Sequence, residues 1–291
     1  MTIIEAFKKL KSNLEITGLQ QSTVSTRHNN IRQAIESDRN VLESFLTGSY
    51  SRHTMIAPLK EADIDIFIVL NADYFHHYNG INGGQAGLLD LIKSTLRKTY
   101  PKTPDISRNG QAVTIEFTDF MVDAIPSFYR KGGGFLIPNS IKQTWIATDP
   151  KKHVEIISSA NNGHNGDLVP IVKMIKRWNR TINYFFTSFH LEVMAYQIFA
   201  GVTISDYSSG MRYFFDKGRS HVKEKNPDPA GYSDDIGNYL DTQEKINNAV
   251  SRFETAYNRA MKAEDYYARG YIADAFENWR KVFGNYFPTN D

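Results

Sequence analysis

The sequence predicts an α+β chain whose strands lie in the first half and whose second half is helical throughout. Three observations carry this reading. Ala62 to Leu70 (ADIDIFIVL) alternates and then becomes wholly apolar, the pattern of a central strand. Gln111 to Pro126 is a second long segment rich in β-branched and aromatic residues. Beyond about Pro150 the apolar residues recur at helical spacing.

Taken in order, Ile3, Ile4, Phe7 and Leu10 mark a first helix, and Ser22 to Ile35 a second, with Ser22 or Ser25 as its cap. Val41 to Thr47 reads as a short strand that ends in the small-residue turn Gly48-Ser49 and a helix start. After the central strand comes a Gly/Asn-rich loop, Asn79 to Gly87, then an amphipathic helix ending near Lys98. Lys131 to Pro138 is a glycine-rich turn with a short strand. In the second half, Leu168–Arg180, Ser188–Ala200, Asp206–Phe215, Thr242–Lys262 and Ile272–Phe283 read as helices, interrupted by the turn-rich stretch from Lys225 to Tyr239. The expected division is an α/β core over residues 1–165, N-terminal helices included, and a helical lobe over 166–291.

Composition narrows the function. Apolar residues make up 41% of the 291 residues and charged residues 23%, an ordinary globular balance. Cysteine is absent, which excludes disulfides, thiolate catalysis and Cys-based zinc sites. Thirty-four Lys and Arg against thirty-two Asp and Glu leave a net charge of +2, too little excess for a protein that grips long nucleic acid through many phosphates. Charges in MTIIEAFKKLKSNLEI occupy the place where a signal peptide needs an apolar centre, and no apolar run is long enough to span a bilayer, so a cytoplasmic protein is expected.

The strongest chemical signal is Asp63-Ile64-Asp65. Residues i and i+2 of a strand share a face, so both carboxylates point the same way. Like charges this close raise each other's pKa unless a cation neutralises them, and hard divalent ions held beside substrate phosphates do so. The bland alternative is a pair of Asp at a solvated strand end. Gly48-Ser49 lies between a strand and a helix start, where a missing side chain lets backbone N–H groups approach a phosphate; alone it is equally a tight turn. Asp123, in MVDAIP, has apolar neighbours, and Asp119, in FTDF, competes with it or marks a bend. Lys173, Lys176, Arg177 and Arg180 form a basic stripe at helical spacing, which by itself reads as a solvated face. Trp178 reads as core, His190 as a core or supporting group, His53 as structural, and His76-His77 as a surface pair in a polar loop.

The order of GS, DxD on one strand and a third Asp on the next resembles the DNA polymerase β-like nucleotidyltransferases. The fuller text, LTGSYSRHT, ADIDIFIVL and FMVDAIPSF, resembles the CD-NTases, the cGAS/DncV-like enzymes of bacterial anti-phage (CBASS) signalling. The segments Lys173–Asn179, Thr187–Glu192 and 279–284 (WRKVFG) continue the resemblance through the helical half. It implies a polymerase β-like core with a mixed sheet, a C-terminal helical lobe and an active site in the cleft between the lobes. It also implies two Mg2+ (or Mn2+) ions held by Asp63, Asp65 and Asp123, with Gly48, Ser49, Lys176 and Ser188 against the triphosphate and Phe189 stacked on a base. The implied activity is condensation of nucleoside triphosphates, ATP among them, into a cyclic di- or trinucleotide with release of pyrophosphate. An accessory activator and a separate effector that reads the product are the implied protein partners. Rival readings are a linear 2′–5′ oligonucleotide synthase, an RNA-tailing enzyme, and a catalytically silent nucleotide sensor. No P-loop or GxGxxG motif is present.

Overall fold

The computed structural model describes residues 1–102 and 105–290. Its residues gather into two compact units, Ile16–Glu155 and Met1–Glu15 with Ile156–Asp291. The N-terminal helix α1 (Ile3–Leu14) therefore lies with the C-terminal helices and not, as expected, with the strands. Its stripe of Ile3, Ala6, Phe7, Leu10 and Leu14 is buried. The Phe7 ring meets Trp279, Phe283 and Phe287 edge-on at 4.9, 5.8 and 5.2 Å between centroids. Periodicity identifies the helix and its apolar face, but not which core that face joins.

The unit of residues 16–155 begins with α2 (Gly18–Glu36), started by a reciprocal capping box between Thr17 and Gln20 upstream of the expected serine caps. Next come β1 (Val41–Leu46), the single turn α3 (Gly48–Ser51), β2 (Asp63–Leu70), α4 (Ala72–Asn79) and α5 (Gly84–Thr99). They are followed by β3 (Ile106–Asn109), β4 (Ala112–Glu116), β5 (Met121–Tyr129), β6 (Phe135–Asn139) and β7 (Thr144–Thr148). Among the described residues, seven strands form one sheet in the order β1-β2-β5-β4-β3, with β6 joined to β5 and β7. The β2–β5 pair is parallel and the other pairs are antiparallel, so the sheet is mixed.

The two faces of this sheet follow from the period of two along each strand. Ile64, Ile66 and Ile68 of β2, Val122 and Ala124 of β5, and Val113 and Ile115 of β4 share one large core with α2 and α5. The alternate residues of β2 and β5 face the other way. Phe67 and Val69, with Phe135 and Ile137, make a small second core at one end, packed by Phe45, Ile125 and Ile146. At the opposite end that face carries Asp63, Asp65 and Asp123.

His76 and His77 are exposed, as expected, but they lie on α4 and not in a loop. The Asn71 side chain accepts the Asp73 N–H to start the helix, and Tyr74, Phe75 and Tyr78 pack it onto the main core. Helix α6 (Pro150–Gly163) carries the chain out of the sheet unit. The helical unit adds α7 (Leu168–Thr181), α8 (Ser188–Ile198), α9 (Tyr207–His221), α10 (Gln243–Ala268) and α11 (Ile272–Phe283). Trp178 is a core residue, with Phe186, Phe215 and Phe253 around it at 5.7, 5.0 and 5.0 Å. Helix α9 runs past its expected end at Phe215 to His221, and its Gly218 meets the Phe253 ring so closely that a Cβ there would stand 2.4 Å from it. Among the described residues, no helix is long and apolar enough to cross a membrane.

Candidate active site

The parallel register of β2 and β5 sets Asp65 directly opposite Asp123 and Asp63 opposite Met121. Since partners in register point to the same side, all three carboxylates share one face at one end of the sheet. Gly48 closes in on them from the end of β1. Thr47 N–H donates to the Asp65 carbonyl at 2.9 Å, which draws the turn against β2. Gly48 has φ +63°, and a Cβ there would stand 1.8 Å from Asp65 Oδ2. Only glycine fits both conditions. Ser49 follows, with its carbonyl accepting the N–H groups of Thr54 and Met55 at 2.9 and 3.1 Å, so the turn is held from behind.

Asp123 is gripped at both oxygens. Thr114, its cross-strand partner on β4, donates Oγ1–H to Oδ1 at 2.5 Å, and Asn109 Nδ2 donates to Oδ2 at 3.2 Å. Burial raises the Asp123 carboxyl above the usual carboxylate range, and these two hydrogen bonds oppose the rise. Asp63 is also raised, first by crowding from the surrounding protein even though it keeps solvent exposure at the strand end, and then by the charge of Asp123. A pair of carboxylates each pushed toward its neutral form is a site that favours a cation. Asp119 is engaged elsewhere: Arg27 pairs with it at 3.4 Å and its Oδ1 accepts the Phe120 N–H, so it holds a bend between β4 and β5.

Among the described residues, no three His, Asp or Glu side chains are gathered closely enough to cage a metal ion by themselves. The donor set nevertheless suits Mg2+ or Mn2+, which take hard oxygen ligands, commonly one or two carboxylates completed by water and substrate phosphates. The missing Gly48 side chain leaves the Asp65 carboxylate its present place, which a Cβ at 1.8 Å from Oδ2 would take. The residues present fit the group.

The candidates in the helical unit sit on two helices. Ser188 is the exposed first residue of α8 and Phe189, next to it, is partly exposed. Thr187 provides no side-chain cap to this helix; its N–H donates instead to the Tyr239 hydroxyl at 3.2 Å, and that hydroxyl lies 2.8 Å from His190 Nδ1. Lys176 on α7 is buried, with Nζ 2.5 Å from Oε1 of Glu192, which is fully buried on α8. The basic stripe is thus not a solvated face. Lys173 reaches Glu15 at 2.5 Å, and Arg177 donates to the Phe283 carbonyl at 2.9 Å while lying 4.2 Å over the Tyr286 ring. These cations are absorbed by partners from distant parts of the chain, which a helical wheel does not show.

Residues 1–161 match the model of the Second Messenger Oligonucleotide or Dinucleotide Synthetase domain. The chain belongs to this family, the CD-NTases. It is 27% identical over 280 residues to a probable cyclic nucleotide synthase of Bacillus cereus (strain VD146), covering 84% of this chain and 82% of that one. It is 28% identical over 190 residues to a cyclic AMP-AMP-AMP synthase of Acinetobacter sp. (strain ATCC 27244 / 9458), covering 62% of this chain. That match spans about half, 53%, of the Acinetobacter protein. Among solved structures, CdnC of E. coli MS115-1 with ATP superposes with a TM-score of 0.79 at 18% identity over 98% of each chain. The same protein in a CdnC:HORMA-deltaN complex gives 0.77, again at 18% identity and over 98% of each chain.

In the sequence of this CD-NTase the groups that hold Asp123 are inconspicuous. Asn109 and Thr114 attract no attention as residue types. Asn109-Gly110 is nonetheless a hairpin-turn pair, and alternation places Thr114 on the face opposite Val113 and Ile115. Glu192 and Tyr239 left no comparable trace, because their partners are remote in sequence.

Proposed function

We propose that this CD-NTase is a metal-dependent nucleotidyltransferase that condenses nucleoside triphosphates into a cyclic oligonucleotide second messenger for anti-phage signalling. The observation that carries the reading is the carboxylate face itself, with Asp65 and Asp123 in register, Asp63 two residues before, and Gly48 packed so closely on Asp65 that no side chain fits between them. In the reaction a ribose hydroxyl of one nucleotide attacks the α-phosphorus of another. A P–O bond forms, the bridge between the α- and β-phosphates breaks, and pyrophosphate leaves. Asp63, Asp65 and Asp123 would hold two Mg2+ or Mn2+ ions, which supply neutralisation of the triphosphate charge and acidify the attacking hydroxyl.

The chain's own groups do the positioning. Gly48 and Ser49 admit the triphosphate beside Asp65. Ser188 offers a hydroxyl donor to phosphate, and Phe189 a flat face to a base. Lys176 contributes its charge to triphosphate binding while it stays paired with Glu192. ATP is the proposed substrate, since the Acinetobacter relative is named for a product built of AMP and the E. coli relative was solved with ATP. The complex of the latter with a HORMA protein supports a protein activator for this chain as well. The product is read by a separate effector. The cytoplasm, where nucleoside triphosphates are plentiful, is the compartment this chemistry needs.

Incubating the protein with all four nucleoside triphosphates and Mg2+ or Mn2+, then with phosphatase, tests the reading by mass spectrometry of what survives. A phosphatase-resistant cyclic product formed without primer is expected. Phosphatase-sensitive ladders would indicate a linear oligonucleotide synthase, primer dependence an RNA-tailing enzyme, and nucleotide binding without turnover a silent sensor.

A further inference from the structure

We infer that Asn109 and Thr114 are positioning residues that hold the Asp123 carboxylate in the orientation in which it binds metal, and that the β3–β4 hairpin exists at this site to present them. The inference rests on the metal-dependent reading above and goes beyond it to residues outside the carboxylate cluster.

The geometry is a closed ring. Thr114 Oγ1 donates to Asp123 Oδ1 at 2.5 Å, Asn109 Nδ2 donates to Asp123 Oδ2 at 3.2 Å, and Asn109 Nδ2 also reaches Thr114 Oγ1 at 3.1 Å. One donor on each oxygen removes the rotation of the carboxylate about its last bond, yet leaves each oxygen a further lone pair. Second partners of this kind orient ligating groups around metals. The same pattern around a carboxylate with no ligand to bind would be a costly way to tie a strand, because Asp123 is already secured on both sides by backbone ladders to β2 and β4.

The hairpin that carries these groups is itself clamped. Asn109 faces Ala112 across a two-residue turn in which Gly110 takes φ +61°. Ser140, just after β6, fixes the tip twice, through its N–H to the Gly110 carbonyl at 2.7 Å and its hydroxyl to the same oxygen at 3.0 Å. The Asn139 side chain in turn accepts the N–H groups of Ile141 and Lys142 at 3.1 and 2.9 Å, making the clamp rigid. Asn109 is solvent-exposed, so its amide is not held in place by burial; it is held by this turn.

The test is Mn2+ binding, followed by electron paramagnetic resonance of the free ion, with a non-hydrolysable ATP analogue present. Thr114→Val keeps the shape and removes the donor, Thr114→Ser restores it, and Asn109→Ala removes the second donor at an exposed position where folding is not at stake. Half-saturation in Thr114→Val is expected to need about tenfold more Mn2+ than in the wild type. Asn109→Ala should shift in the same direction, and Thr114→Ser should lie close to the wild type. The metal concentration for half-maximal pyrophosphate release should rise in parallel, while KM for ATP at saturating metal stays put. A purely architectural role predicts lower melting temperatures with unchanged Mn2+ curves. Wild-type Mn2+ curves in both Thr114→Val and Asn109→Ala, in a wild type that binds Mn2+ and releases pyrophosphate, overturn this inference alone. A wild type that binds no Mn2+ overturns the metal-dependent reading and this inference with it.

Discussion

At Gly48 one methyl group separates a carboxylate in register from a displaced one. A Cβ there would stand 1.8 Å from Asp65 Oδ2, on a backbone at φ +63°. Gly48→Ala is therefore expected to abolish turnover by pushing Asp65 out of register with Asp123, and to cost about 1–3 kcal/mol of stability from the strained backbone; pyrophosphate release and a urea melt measure the two effects separately. Lys176 behaves differently. Truncating it strands Glu192 in the interior, so Lys176→Ala should lose about 3–5 kcal/mol, and Lys176→Met combined with Glu192→Gln should recover most of that. The double variant then asks the functional question cleanly: if Lys176 serves the triphosphate, ATP-analogue affinity falls even where stability has returned. His190 gives a pH signature. Burial pulls its pKa from 6.5 down to about 4, and its Nε2 has no hydrogen-bond partner among the described residues. Between those two values the unfolded chain takes up a proton that the folded chain refuses, so the stability present above pH ~6.5 is lost as pH falls toward 4, by up to ~3 kcal/mol. Urea melts at pH 7.5 and 4.5 should differ less in His190→Asn than in the wild type. Asp63 and Asp65 were legible from spacing because alternation along a strand is a local property, whereas Asp123 competed with Asp119 until the family resemblance singled it out. The pairings of Lys176 and Lys173 were not, since each partner comes from another part of the chain.

Helix α9 shows propensity and packing in opposition. In an exposed helix Gly→Ala stabilises by up to ~1 kcal/mol. At Gly218 the added Cβ would meet Phe253 at 2.4 Å, in the aromatic cluster around Trp178. Gly218→Ala should therefore destabilise, by about 1–3 kcal/mol, and a rise in the melting midpoint would contradict the packing described. The helix runs six residues beyond its expected end at Phe215, to His221, and the facing Phe253 ring accounts for the glycine in that added stretch. Helices α4 and α6 were missed for a related reason. Their polar stretches, with His76-His77 in one and Asn161-Asn162 in the other, carry weak periodicity, and the aromatic residues that anchor α4 act on a core formed elsewhere in the chain.

At the scale of the molecule, the alternation of β2 and β5 and the run of helices after Pro150 were enough to predict an α+β chain, because segregation of strands and helices is written along the sequence; that the sheet is mixed was an expectation of the family resemblance alone. The placement of α1 was not, since an amphipathic stripe specifies burial without naming its partner; its Phe7 instead completes the Trp279, Phe283 and Phe287 cluster. Both kinds of information converge on one claim, that three carboxylates on one sheet face perform metal-dependent nucleotidyl transfer. The most direct test is pyrophosphate release from ATP with Mg2+ or Mn2+ by the wild type and by Asp63→Asn combined with Asp65→Asn, with circular dichroism of both. The account predicts release by the wild type and none by the double variant at an unchanged spectrum. Equal release by the two proteins would contradict it.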